Sequence, residues 1–128
     1  AGLEDKKPVL FQSDTFELHA VPGEVAFDRM IAQSVFTHLT PDLIELCLGK
    51  VIPKLNDTGI FFATFNNTHG GAPDYSKPHK WRRNERHMTQ YPVTMFEELA
   101  EKTGATVEYV GEWDHPRGQE MLAFRRKD

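Results

Sequence analysis

A single cysteine, Cys47, among 128 residues excludes an intramolecular disulfide and any zinc site built mainly on thiolates. No apolar run is long enough to cross a bilayer, and none near the amino-terminal residue resembles a secretory signal, so a cytoplasmic, reduced setting and no membrane partner are expected. A strong charge of one sign is also lacking. Fifteen Lys and Arg against 19 Asp and Glu give a formal charge of -4 and a pI of about 5.9, which supplies no global attraction to nucleic acid or to an anionic surface. Internal repeats and low-complexity tracts are absent. What is present is 39% hydrophobic and 27% charged residues, the balance of one globular domain over residues 1–128 with enough apolar material for one core.

Short apolar runs punctuated by polar turns organise the chain. Val9-Leu10-Phe11, after Pro8 and before Ser13-Asp14-Thr15, predicts a first strand. An irregular connector follows over 13–24, with a helical turn near Thr15 to Leu18 and a turn at Pro22-Gly23. Val25 to Ala32 is nearly continuous in apolar residues and predicts a strand buried on both faces, stopping at Gln33-Ser34. Thr40 as N-cap, Pro41 at the first helical position and Asp42 beside it predict a helix start. Leu43, Ile44, Leu46, Cys47, Leu48, Val51, Ile52 and Leu55 then form its apolar stripe, and Asn56-Asp57-Thr58-Gly59 ends it.

Ile60 to Phe65 predicts the next strand, apolar on both faces until Asn66-Asn67. Residues 67–91, with Gly70-Gly71, Pro73 and Pro78 and no clear period, predict a long loop with at most short helical pieces. A second helix is expected from Thr94, with Glu97 completing a capping box, Phe96, Leu99 and Ala100 facing inward, and Gly104 closing it. Ala105 to Trp113 and Gln119 to Arg126 alternate as strands. The connection Asp114 to Gly118 is too short for a parallel crossover, so the two form an antiparallel hairpin.

This order, and several local stretches, resemble the later part of a class I S-adenosylmethionine-dependent methyltransferase domain. The most specific stretch is Phe27-Asp28-Arg29-Met30-Ile31-Ala32-Gln33-Ser34-Val35-Phe36-Thr37-His38-Leu39, similar to the family's fourth strand and its exit. Ser13-Asp14-Thr15-Phe16 resembles the acidic position after its third strand, and Lys54 to Thr64 the turn into its fifth. The resemblance covers roughly residues 5–127. It implies an α/β fold: a partial Rossmann-like methyltransferase sheet, mixed, with two main helices and a C-terminal antiparallel hairpin. The cofactor it implies is S-adenosylmethionine, held by Asp14, Thr15 and Phe16 at the adenine and by the Gln33-Ser34 backbone at the methionine part.

The departure from the family is large. Nothing in the sequence resembles its Gly-x-Gly-x-Gly turn or the acidic residue that holds the ribose, whose backbone approach to the cofactor needs glycine. In the family the strands carrying those elements separate the third strand from the fourth. Their absence leaves one edge of the Phe27–Gln33 strand unpaired, an apolar ladder protected only by Asp28 and Arg29. A homo-oligomer joined through that 27–33 edge, or a partner chain supplying the missing strands, is therefore expected.

Methyl transfer asks mainly for alignment and exclusion of water, sometimes with a base for the nucleophile. His38 is the candidate base, since an imidazole titrates near neutrality. Phe36, His38, Asn66, His69 and Trp81 are the candidate acceptor contacts, with residues 67–91 as a lid and a small-molecule acceptor. No metal is expected, because the six histidines show no ligand spacing. Two alternatives remain: a non-catalytic remnant acting as an assembly or binding module, and a nucleic-acid contact through the basic loop 77–86, which the acidic remainder disfavours.

Overall fold

A computed structural model describes residue 16, residues 25–81 and residues 84–127, with the backbone alone for 75–81 and 84–87. The expected strand at 9–11 and the helical turn near 15–18, Phe16 apart, lie outside the described residues. Strand β1 is Phe27–Ala32, followed by a 3-10 turn Phe36–His38 and helix α1, Pro41–Val51. A second 3-10 turn, Ile52–Lys54, leads into β2, Leu55–Phe65. Then come β3 (Asp74–Trp81), β4 (Asn84–Gln90), α2 (Val93–Lys102), β5 (Ala105–Glu112) and β6 (Glu120–Arg126). The main sheet has the order β1-β2-β6-β5, parallel between β1 and β2 and antiparallel elsewhere, which makes it the expected mixed α/β sheet with a C-terminal hairpin.

Both helices serve one core. Helix α1 buries Ile44, Cys47, Leu48 and Val51, and α2 buries Phe96, Leu99 and Ala100. The ring of Phe36 sits at the centre, with centroids 6.1 Å from Phe61, 6.0 Å from Phe96 and 6.4 Å from Phe124. Pairing places Phe61 opposite Phe124, Ala63 opposite Leu122 and Phe65 opposite Glu120, so alternate residues of β2 and β6 face this core.

Four expectations are corrected. First, β1 is not buried on both faces: Asp28, Arg29 and Ile31 are exposed, Ile31 by 62%, because among the described residues β1 pairs with β2 alone. Second, β2 begins at Leu55 rather than Ile60. Register runs Phe27 to Leu55 and then Arg29 to Ile60, so Asn56–Gly59 bulge out, held by the Thr58 amide on Asn56 Oδ1 at 3.0 Å. Third, α2 is capped by Pro92, whose extended backbone puts Thr94 inside the first turn, so no side-chain capping bond forms. Fourth, most of residues 67–91 is not loop. Strands β3 and β4 pair antiparallel as a separate ribbon, and pairing between sequence neighbours needs no apolar period to reveal it.

Two of the helix signals stand. Thr40 is the N-cap residue of α1, although without a side-chain bond, with Pro41 and Asp42 in the first turn. Gly104 takes φ +74 just beyond α2, a left-handed stop that glycine adopts without strain. None of the described helices is long and apolar enough to cross a membrane.

Candidate functional site

Parallel strands gather their carboxyl ends on one edge of a sheet, where open α/β folds bind ligands. Here that edge is formed by the exits of β1 and β2, and antiparallel pairing brings the start of β6 to the same place. At the end of β1, Gln33 is exposed and Ser34 turns the chain through φ 59, a left-handed conformation rare outside glycine. Three hydrogen bonds hold that turn. The Ser34 amide donates to Thr64 Oγ1 at 2.8 Å, the Ser34 hydroxyl to Gln119 Oε1 at 3.2 Å, and the Thr64 hydroxyl to the same Gln119 oxygen at 2.8 Å. Thr64 and Gln119 are buried, so this polar network is shielded from water.

A second polar group lies one residue along β6. Glu120 occupies the same face as Leu122 and Phe124 and is buried. Its Oε1 accepts from the Tyr109 hydroxyl and from Asn67 Nδ2 at 3.3 Å, and its Oε2 lies 3.2 Å from His69 Nε2. The Glu120 carboxylate, with partial desolvation, holds the Tyr109 phenol above its ordinary value. His69 is 71% exposed, sits at φ 53, and donates its amide to Asn67 Oδ1 at 2.8 Å. The exit of β2 is tied to the ribbon by Tyr91 N to Asn66 O at 2.9 Å and Thr68 N to Tyr91 O at 3.1 Å.

The expected site residues divide by position. Gln33, Ser34, Asn66 and His69 share the carboxyl edge. Asn66 Nδ2 donates to the Thr89 carbonyl at 3.1 Å, and Thr89 in turn donates to the Phe36 carbonyl at 3.0 Å. His38 is exposed at the end of its 3-10 turn. Phe36 has no exposed surface and belongs to the aromatic core. Phe16 packs half-buried against that core at φ 61. Asp14 and Thr15 lie outside the described residues, and Trp81 has only its backbone, in β3, described.

Thr64, Tyr109, Gln119 and Glu120 were missed by reading the sequence. The one available signal was phase. Glu120 stands two and four residues before Leu122 and Phe124, at a position the strand's alternation reserves for an apolar side chain. The hairpin connection also reaches this edge, where the rings of Trp113 and His115 meet tilted at 42° with centroids 5.4 Å apart. Among the described residues no three His, Cys, Asp or Glu side chains gather as a metal site would require.

No protein-family model and no curated protein matches this sequence. Solved structures match the fold. A S-adenosylmethionine-dependent methyltransferase from Clostridium acetobutylicum superposes with a TM-score of 0.69 at 10% identity, over 99% of this chain and 68% of that one. A 1,6-didemethyltoxoflavin-N1-methyltransferase from Burkholderia thailandensis, with 1,6-didemethyltoxoflavin and S-adenosylhomocysteine bound, gives 0.61 at 18% identity over 84% and 47%. A pericyclic reaction enzyme gives 0.63 at 10% identity over 97% and 33%. The chain therefore has a class I methyltransferase-like fold, and it spans about two thirds of the first of these proteins and less of the other two.

Proposed function

We propose that this chain is the acceptor side of a S-adenosylmethionine-dependent methyltransferase acting on a small-molecule acceptor. The observation that carries the reading is the carboxyl edge of the parallel β1–β2 pair, where an exposed Gln33 and the pinned, left-handed Ser34 leave β1 beside a second polar group, Glu120 with His69. The fold alone does not decide the reaction, since a pericyclic reaction enzyme shares it.

The residues at this edge fit the amino-acid end of such a cofactor. The exposed Gln33 amide offers both a donor and acceptors, and the turn at Ser34 satisfies its own N–H and hydroxyl within the protein, so the strand end needs no ligand to hold its shape. Bound there, S-adenosylmethionine supplies an electrophilic methyl group on a sulfonium. Gln33 and the Ser34 backbone hold that end, Asp14, Thr15 and Phe16 are assigned to the adenine, and His38, Asn66, His69 and Trp81 to the acceptor, with the β3–β4 ribbon as a lid.

The glycine turn, absent from these residues, comes in this reading from an upstream segment, a second copy or a partner chain docked along β1. The exposed Ile31 and the single described neighbour of β1 support that arrangement. Calorimetric titration with S-adenosylmethionine, on samples whose association state is measured by light scattering, tests it. Saturable binding by an oligomer is expected. No binding at millimolar ligand means that a partner is required or that catalysis has been lost, and binding of nucleic acid that weakens steeply with salt favours the contact through residues 77–86.

A further inference from the structure

We infer that His69 and Glu120 form a carboxylate–imidazole pair that takes the proton from the acceptor nucleophile. The inference rests on the methyltransferase reading and moves the base from His38 to the exit of β2.

Burying a carboxylate is costly unless its oxygens are bonded. Glu120 is 4% exposed and faces the core side of β6, and both its oxygens have polar neighbours. They are engaged unequally. Tyr109 and Asn67 both donate to Oε1, which fixes the carboxylate plane and leaves Oε2 aimed at His69 Nε2, 3.2 Å away. Asn67 works from both ends: its Nδ2 anchors Glu120 while its Oδ1 accepts the His69 amide.

His69 is thus held through its backbone amide, with its ring beside Glu120, at a left-handed φ of 53 that a β-branched residue would not tolerate. In the proposed pair Nε2 keeps its proton toward Glu120 Oε2, 3.2 Å away, and Nδ1 is the ring nitrogen that accepts. Among the described residues Nδ1 has no protein partner, and the ring is 71% exposed at the sheet edge where ligands bind. A carboxylate that fixes the tautomer and stabilises the imidazolium is the arrangement that makes histidine an effective base.

The chemistry balances. As the acceptor nitrogen or oxygen bonds to the methyl carbon, its proton passes to His69 Nδ1, and the electron pair of the broken carbon–sulfur bond stays on sulfur. Glu120 holds the imidazolium through Nε2–H, with Tyr109 and Asn67 as positioning residues.

Two readouts test the pair. Nitrogen-15 spectra of histidine-labelled protein report the tautomer: His69 is expected as the Nε2–H form in the native chain and as a mixture in Glu120→Gln. Methyl transfer from S-adenosylmethionine to a panel of small amines and phenols, measured as S-adenosylhomocysteine released, is expected to fall roughly 100-fold or more in His69→Asn. Asn tolerates the left-handed backbone, so this variant keeps the fold, and its affinity for S-adenosylhomocysteine by calorimetry is expected to be unchanged. A native His69 that is already a tautomer mixture overturns the pair whatever the cofactor does. Transfer that His69→Asn leaves intact overturns the proton role while the methyltransferase reading stands. No cofactor binding and no transfer by the associated form of the protein, with the tautomer fixed as expected, overturns the methyltransferase reading and the proton role together.

Discussion

The Ser34 hydroxyl meets Gln119 Oε1 at 3.2 Å and thereby ties the exit of β1 to the residue just before β6, across the width of β2. Thr64 of β2 donates to the same oxygen, so one buried amide secures three chain segments at the edge where a ligand is expected. The turn at Ser34 therefore owes its shape to a residue far away in sequence.

Removing that amide tests the network. Gln119→Ala strands two hydroxyl donors, one of them fully buried, and is expected to cost about 1–3 kcal/mol in urea unfolding. A cost within about 0.5 kcal/mol, the range of ordinary surface changes, would mean that the three bonds do not persist in solution.

Phe36 separates a core role from an acceptor role. Its ring touches Phe61, Phe96 and Phe124 and has no exposed surface. Phe36→Ala is expected to destabilise by about 3–5 kcal/mol in the same measurement. A folded variant of native stability would return Phe36 to the acceptor pocket.

Gly59 lies where β2 leaves its bulge and passes close to β1. A Cβ there would stand 2.6 Å from the Phe27 carbonyl oxygen, which is backbone and cannot turn aside. Gly59→Ala is expected to lower stability by about 1–3 kcal/mol, the usual cost of overpacking, and to loosen β1 first. Amide hydrogen exchange at Met30 to Ala32 reads that loosening, and unchanged protection there would contradict the close approach.

Burial pushes the Cys47 thiol up to about 12 from its ordinary 9.0. The folded chain keeps that proton over a range in which the unfolded chain releases it, so its contribution to stability is whole below about pH 9 and is lost as pH rises toward 12. Cys47→Ala is expected to flatten this part of the stability profile. In the native chain, thiol reagents are expected to react at the rate of opening rather than of chemistry.

Much of the fold was legible because short-range patterns carried it. Pro41 and Asp42 announced α1, Gly104 closed α2, and the five residues from Asp114 to Gly118 permitted nothing but a hairpin. The β3–β4 ribbon escaped because Pro78 and its charged neighbours give no alternation, and its pairing is local. β1 was misjudged because apolar content was taken as burial, whereas Ile31 faces outward at the edge of the described sheet. The site was half legible: Gln33, Ser34, Asn66 and His69 follow from strand ends. Gln119 and Glu120 do not, since their partners lie across the sheet and only the out-of-place charge at Glu120 marks them.

The most direct test of the carboxyl edge as the ligand site is backbone NMR of the chain titrated with S-adenosylhomocysteine. Shifts concentrated at Gln33 and Ser34 are the predicted result. Saturable shifts confined to other surfaces, or none at millimolar ligand in the associated form of the protein, would contradict it.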